Sequence, residues 1–136
     1  MELDPIELDL RFDLVVAGAH LEGQPLNHQL VEIGGELVRR TTTADTYRLY
    51  ALATDPPKPG LVRATSGGRA IEVEVWSLLP ADLASFVVGV PAPLAIGQVE
   101  LADGTVTTGF TCMPHGLEHA VDITAFGGWR AYLASL

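Results

Sequence analysis

Hydrophobic residues in the first forty positions predict a strand, a turn and a helix. Residues 12–17 contain the continuous apolar run Leu14-Val15-Val16, which is typical of a buried strand, and Gly18 ends that run. A second apolar set, with spacings of four, three and four, falls on one face of a helix: Leu26, Leu30, Ile33 and Leu37. We therefore expect a strand and a helix joined by a short turn that begins at Gly18.

Later alternations of apolar and polar residues predict further short strands and two helices. The strands are expected at residues 38–45, 46–53, 61–65, 70–78, 96–101 and 105–112, and the helices at residues 80–88 and 129–136. Residues 61–65 and 70–78 are predicted to pair as a hairpin, as are residues 96–101 and 105–112, which flank Asp103-Gly104. Three prolines within residues 55–60 indicate a stiff surface loop.

Strands and helices in this mixed order predict an α+β fold without the regular alternation of a doubly wound parallel sheet. We expect a small, mostly antiparallel sheet or barrel with flanking helices. A length of 136 residues fits one domain, which we place at residues 12–136. Residues 1–11 alternate acidic and apolar residues and are interpreted as an acidic N-terminal segment that forms an edge strand or a linker.

Composition excludes some classes of binding partner but leaves the predicted fold unchanged. The formal net charge of −9 argues against binding of nucleic acid or anionic membranes, because both require an excess of Lys and Arg. Positive charge comes from seven arginines and a single lysine, Lys58. Cys112 alone cannot form an internal disulfide, and no targeting sequence or membrane span is evident. The expectation is a cytoplasmic protein without a cofactor.

His20 is the strongest candidate for chemistry, because it follows a buried strand in a turn of small residues. Backbone N–H groups of such a turn can bind an anion, and an imidazole that titrates near neutral pH can exchange a proton beside it. The alternative is a histidine that only caps the helix or fills the loop. Asn27 could direct its amide back to this turn, whereas His28 is expected on the polar face of the helix.

Other ionisable residues give weaker predictions. His115 and His119, with Glu118 between them, resemble half of a metal site on one helix face, but a solvated helical turn is favoured because Cys112 is the only soft ligand nearby. Glu72 and Glu74 could form an acid/base pair or be exposed charge on a sheet. Hydrolase-elbow, Walker A, dinucleotide and Cys-x-x-Cys motifs are absent from the sequence.

Several separated blocks of sequence resemble one known family. They run in order from about residue 12 to the end of the chain: Val16–Leu21, Pro25-Leu26-Asn27, Tyr47–Tyr50, Pro56–Leu61, Ile71–Trp76, Pro91–Leu94 and Asp122–Tyr132. Together they resemble the C-terminal domain of allophanate hydrolase. The resemblance implies a γ-glutamylcyclotransferase-like fold, a small barrel with flanking helices.

Function follows from the same resemblance as an expectation. In that family the domain follows an amidase domain that hydrolyses allophanate, so this chain is interpreted as a free-standing or excised domain. The C-terminal half has been assigned decarboxylation of N-carboxycarbamate in urea degradation, and in some members it serves assembly. The implied partners are a small carboxylated substrate, a separate amidase and a second copy of the chain, with Trp129 and Tyr132 at the contact.

Residue roles also follow from the resemblance. The turn at Gly18-Ala19-His20-Leu21 occupies the place of the loop that grips substrate in γ-glutamylcyclotransferases. Their catalytic Glu has its counterpart at Val88-Gly89, which has no carboxylate, so cyclotransferase activity is not expected. His20 is then the implied catalytic residue, and the implied substrate-binding residues are Gly18, Ala19, Leu21, Asn27 and Tyr50.

Overall fold

A computed structural model describes residues 10–136, so most of the predicted acidic segment at residues 1–11 lies outside the described residues. Within the described part, the strands are β1 (Phe12–Val16), β2 (Glu36–Thr42), β3 (Tyr47–Ala51), β4 (Pro59–Arg63), β5 (Glu72–Leu78), β6 (Leu94–Glu100), β7 (Val106–Cys112) and β8 (Val121–Asp122). The α-helices are α1 (His28–Glu32), α2 (Pro80–Val88) and α3 (Trp129–Ala134), and 3₁₀ turns occupy Pro114–Leu117 and Thr124–Phe126.

The strands form two sheets. A five-stranded sheet has the order β2-β5-β1-β7-β6, in which only the β1–β7 pair is parallel. A three-stranded antiparallel sheet has the order β4-β3-β8. The α+β class is confirmed, but the predicted barrel is wrong, because the sheets do not close. Among the described residues, the segments that follow β2 and β6 pair through an isolated bridge between Thr43 and Leu101, which does not continue as a ladder.

The hydrophobic core lies against β1 and β5, the two most buried strands. Leu14, Val15 and Val16 are almost fully buried, as the continuous apolar run predicted. The β5 residues from Val73 to Leu78 are buried on both faces, because this strand lies between β1 and β2. Because β1 is the central strand of this sheet, the turn at Gly18 starts at the end of the sheet's centre.

The helix predicted to reach Leu37 is wrong in its second half. Helix α1 ends at Glu32, and Gly34 adopts a φ of 79°, a left-handed conformation that glycine tolerates and that ends helices. The N–H of Gly35 then donates to the carbonyl of Leu30, 2.8 Å away. Leu37 belongs instead to β2, opposite Trp76.

One predicted hairpin is wrong and the other is confirmed. β4 pairs with β3, with Leu61 opposite Leu49, whereas β5 is inserted between β1 and β2. Burial decides this pairing, because β5 is apolar enough for the centre of a sheet and an isolated hairpin could not cover it. β6 and β7 pair as predicted, from Leu94 opposite Cys112 to Glu100 opposite Val106.

The predicted helices α2 and α3 are both present. Leu83 and Phe86 of α2 are partly buried against the core, and Trp129 at the start of α3 is 4% exposed. β4 begins inside the predicted proline loop, at Pro59, where a missing N–H is tolerated at the first residue of a strand. No helix in residues 10–136 is both long and apolar enough to cross a membrane.

Candidate functional site

The turn after β1 is held by its own hydrogen bonds and by a proline. Leu21 N–H donates to the Gly18 carbonyl at 3.0 Å, and Leu26 N–H donates to the Ala19 carbonyl at 2.8 Å. A Cβ at Gly18 would lie 2.0 Å from Cγ of Pro59, so only glycine permits this approach of β4 to the turn. The turn and the Lys58-Pro59 segment are therefore packed as one unit.

His20 is half-buried between two phenylalanines. Its ring meets Phe86 edge-on at a centroid distance of 5.2 Å and stacks on Phe110 at 5.3 Å, with an interplanar angle of 17°. Nε2 lies 2.8 Å from Oε1 of Gln29. Because an amide oxygen can only accept, Nε2 carries the proton and Nδ1 is the acceptor of the neutral ring. Nδ1 has no hydrogen-bond partner among the described residues.

The surroundings of His20 favour the neutral ring. Burial lowers the pKa of His20 below 6.5, the hydrogen bond to Gln29 raises it, and the nearby His28 lowers it further, with a net decrease. An anion beside the ring would act in the opposite direction, because opposite charge favours the imidazolium. The protonation state of His20 is thus sensitive to what binds next to it.

A cavity of about 590 Å³ opens beside this ring, and we call it the His20 cavity. Its wall is mostly apolar, with contributions from the turn, α1, β4, α2, β6 and β7. Three charged residues interrupt the apolar wall: Glu32, Lys58 and Asp82. A concave, mainly apolar site with a few polar groups is typical of a small-molecule site.

The predicted site residues divide into two groups. Gly18, Ala19 and His20 line the cavity. Leu21 is fully buried in the core, and its N–H is already bonded to Gly18. Binding of substrate by any of these residues stays a prediction.

Asn27 and Tyr50 lie away from the cavity wall. The Asn27 amide donates to the His20 carbonyl at 2.9 Å, so it holds the turn, as one interpretation of the sequence anticipated. Tyr50 lies on β3 between Gly60 of β4 and Asp122 of β8. Neither residue forms part of the cavity lining, so direct contact of either with a substrate also stays a prediction.

The interpretation of both Glu72 and Glu74 as solvent-exposed charge is wrong for Glu74. Its side chain is fully buried and accepts hydrogen bonds from Arg130 at 2.9 Å, Glu22 N–H at 2.7 Å and the Trp76 indole at 3.1 Å. Burial alone would raise the pKa of Glu74, but these bonds and the Arg130 charge outweigh it and lower the pKa below 4.5. Glu74 is therefore held as a carboxylate.

Arg130 joins this carboxylate to its neighbours. It also binds Glu72 at 2.9 Å and the Glu22 carbonyl at 2.6 Å, and Arg40 Nε lies 3.5 Å from Glu74. We call these five residues the Glu74 cluster: Glu22, Arg40, Glu72, Glu74 and Arg130. Because its groups bond to one another, it pins α3 to β5 and to the turn that carries His20.

His115 and His119 do not share a helix face, so the interpretation of the pair as half of a metal site on one face is wrong, whereas the favoured solvated helical turn is present as a partly exposed 3₁₀ turn. His115 lies in the 3₁₀ turn Pro114–Leu117, whereas His119 follows it with a φ of 60°. Both line a separate cavity of about 280 Å³ together with Glu118. Residues 10–136 contain no group of three or more His, Cys, Asp or Glu residues arranged to hold a metal ion.

A family model for the allophanate hydrolase C-terminal domain matches residues 12–134. The chain belongs to that family. Urea amidolyase of Saccharomyces cerevisiae is 42% identical over 128 residues, which cover 90% of this chain and 7% of that protein. This chain therefore matches only a small part of the curated relative.

Solved structures agree with the family assignment. Kluyveromyces lactis allophanate hydrolase is 39% identical with a TM-score of 0.88, covering 93% of this chain and 21% of that one. A protein specific to uropathogenic E. coli is 35% identical with a TM-score of 0.85, covering 93% of this chain and 98% of that one. A γ-glutamyl cyclotransferase, 13% identical with a TM-score of 0.53, shares the fold alone.

For this allophanate hydrolase C-terminal domain, sequence reasoning did not identify Lys58 as a candidate site residue. In the sequence it is the single lysine, in a proline-rich loop, and the structure places it in the cavity wall. The feature of the sequence that could have identified Lys58 is its place between two prolines, because prolines restrict the backbone that carries the side chain. Its position beside the turn comes from the packing of Pro59 on Gly18.

Proposed function

We propose that this domain decarboxylates N-carboxycarbamate, a small dicarboxylate formed from allophanate during urea degradation. The family assignment supports this reaction class. The observation that carries the proposal is His20 itself, half-buried in an apolar cavity with Nδ1 unbonded by the described residues.

The reaction needs one proton and no redox partner. The bond between nitrogen and one carboxylate carbon breaks, its electron pair stays on nitrogen, and the carboxylate leaves as carbon dioxide. His20, as imidazolium, donates its Nδ1 proton to that nitrogen, which gives carbamate and a neutral ring that water reprotonates. The aromatic wall excludes water from the departing group, whose charge disappears as the bond breaks.

Substrate binding supplies the protonation that this mechanism requires. Burial holds the pKa of His20 low in the free protein, whereas a dianion beside it raises that pKa, so binding is coupled to uptake of a proton. Turnover should consequently fall as pH rises through the raised pKa, because the neutral ring has no proton to donate.

The direct test is a His20→Ala variant with His28→Ala as its matched control. His28 lies at the start of the neighbouring helix and is exposed, and among the described residues its side chain bonds to the Pro25 carbonyl alone, so its loss leaves the cavity wall in place. Its effect on the pKa of His20 is smaller than that of burial or of the hydrogen bond to Gln29. With allophanate and an amidase generating substrate, ¹³C NMR follows loss of N-carboxycarbamate. We expect His20→Ala to lose roughly 100-fold or more in rate and His28→Ala to stay near wild type.

Equal rates for His20→Ala and wild type would exclude His20 as the acid. A wild-type protein that adds nothing to the rate seen with the amidase alone would refute the reaction. Folding of each variant is checked by its thermal unfolding midpoint.

Assembly is a second candidate function, supported by exposed apolar residues near α3. Phe126 is 42% exposed and Leu133 is 36% exposed, and Tyr132 packs against Phe126 at a centroid distance of 5.6 Å. Trp129 is buried, so it is unavailable as the contact predicted for it. If this surface binds a second copy or an amidase, Phe126→Glu with Leu133→Glu should abolish the complex in light scattering; an unchanged mass would exclude the surface.

A further inference from the structure

Lys58 differs from every arginine of the chain in having no partner among the residues that the structure describes. Each of the seven arginines bonds to a carboxylate, a hydroxyl or a backbone carbonyl: Arg11, Arg39, Arg40, Arg48, Arg63, Arg69 and Arg130. The Lys58 ammonium forms no ion pair or hydrogen bond with any described residue. It is nevertheless half-buried and lines the His20 cavity.

The backbone that carries Lys58 is fixed with respect to the His20 turn. Pro57 and Pro59 restrict φ on either side, and the Lys58 carbonyl accepts the Leu52 N–H at 2.8 Å. Pro59 packs on Gly18 without space for a Cβ. Lys58 therefore lines the same cavity as His20, and because no described residue pairs with its ammonium, the charge is available to an anionic ligand.

Two carboxylates elsewhere in the wall limit where an anion bound to Lys58 can lie. Asp82 is half-buried and Glu32 is exposed, and neither pairs with a described cation. Both carboxylates repel an anion, whereas Lys58 attracts it. A small dicarboxylate would therefore be oriented with one carboxylate at Lys58 and the other against the apolar wall.

We propose that Lys58 binds the carboxylate that the substrate retains, so that the departing carboxylate lies against Phe86 and Phe110 beside His20. This inference rests on the proposed decarboxylation. A cation on the departing carboxylate would stabilise the substrate more than the transition state, because that charge disappears as carbon dioxide forms. On the retained carboxylate the same cation stabilises both states equally and therefore contributes to binding.

Calorimetric titration with malonate, a stable dicarboxylate, tests the binding role without turnover. We expect Lys58→Met to weaken binding roughly 10- to 100-fold, since it removes one charge-assisted contact, and Lys58→Arg to restore most of the affinity. Arg63→Met is the matched control: Arg63 ends β4, the strand that Lys58 immediately precedes, and it is exposed and absent from the cavity lining. Malonate affinity equal in wild type and Lys58→Met, or no binding by wild type, would overturn the role of Lys58.

Steady-state kinetics then test which carboxylate Lys58 holds. Binding of the retained group predicts a KM increase of roughly 10- to 100-fold for Lys58→Met with kcat within a few-fold of wild type. An increase in kcat would show that Lys58 holds the departing group and would overturn that assignment. Lys58-dependent malonate binding without any wild-type turnover would refute the reaction and the assignment to the retained group, but would support Lys58 as a carboxylate anchor.

Discussion

The Glu74 cluster and the His20 cavity adjoin the same turn but differ in whether their charged groups have partners within the protein. In the cluster, the buried carboxylate is bonded to Arg130, to a backbone N–H and to an indole. In the cavity, Lys58 has no ion pair with a described residue, and the acceptor nitrogen of His20 has no described partner. Charges bonded within the protein hold the turn, whereas charges that line the cavity without a described partner are available to a ligand.

Glu74→Gln should give the largest effect, on stability. Gln removes the charge that Arg130, the Glu22 N–H and the Trp76 indole bond to in a buried position, and because Arg130 is partly exposed and keeps Glu72 we expect a cost of about 2–4 kcal/mol. Urea unfolding at pH 7 measures the change. Glu72→Gln is the matched control, because Glu72 binds the same guanidinium but is partly exposed, and it should cost about 1 kcal/mol or less. Equal losses in the two variants would show that burial of Glu74 does not matter.

Acid should erase the difference between wild type and Glu74→Gln. The pKa of Glu74 is lower in the folded protein than its ordinary value of 4.5, so its contribution is complete above that value. As pH falls through the lowered pKa, the wild-type carboxylate is protonated in both states and the advantage disappears. A stability difference that persists unchanged well below pH 4.5 would contradict this assignment.

Gly18→Ala should have a smaller effect that reaches both regions. Its Cβ would overlap Pro59, so we expect a loss of about 1–3 kcal/mol and weaker malonate binding as the Lys58 segment moves. Gly89→Ala is the matched control in the same cavity wall: Gly89 has a φ of −84°, and an added Cβ meets nothing closer than 3.6 Å. If Gly18→Ala left malonate affinity unchanged, the position of Lys58 would not depend on the packing of Pro59 on the turn.

Local patterns predicted the elements well, and long-range pairing was the main source of error. The apolar run at Leu14–Val16 and the turn at Asp103-Gly104 report on their own neighbours, so β1 and the β6–β7 hairpin were found. Leu37 fits a helical spacing equally well, but the backbone at Gly34 ends the helix first. The insertion of β5 between β1 and β2 depends on contacts far apart in sequence, which no local pattern encodes.

The site was predictable to the same extent. A histidine after a buried strand indicated His20, and its neighbours Gly18 and Ala19 do line the cavity. Lys58 comes to the cavity through the packing of Pro59 on Gly18, a contact between residues 41 positions apart. Glu74 reads as surface charge in a strand until Arg130, near the end of the chain, covers it.

The position of β1 in the sheet has a consequence for how the chain acquires its structure. This first strand occupies the centre, and its neighbours β5 and β7 begin only at Glu72 and Val106. On a ribosome, which releases the chain from its N-terminus, Leu14–Val16 would emerge long before either neighbour could cover them. Such non-local pairing slows folding and exposes nascent strands to aggregation. We therefore expect synthesis to reach β7, near the end of the chain, before the apolar centre of the sheet is fully covered.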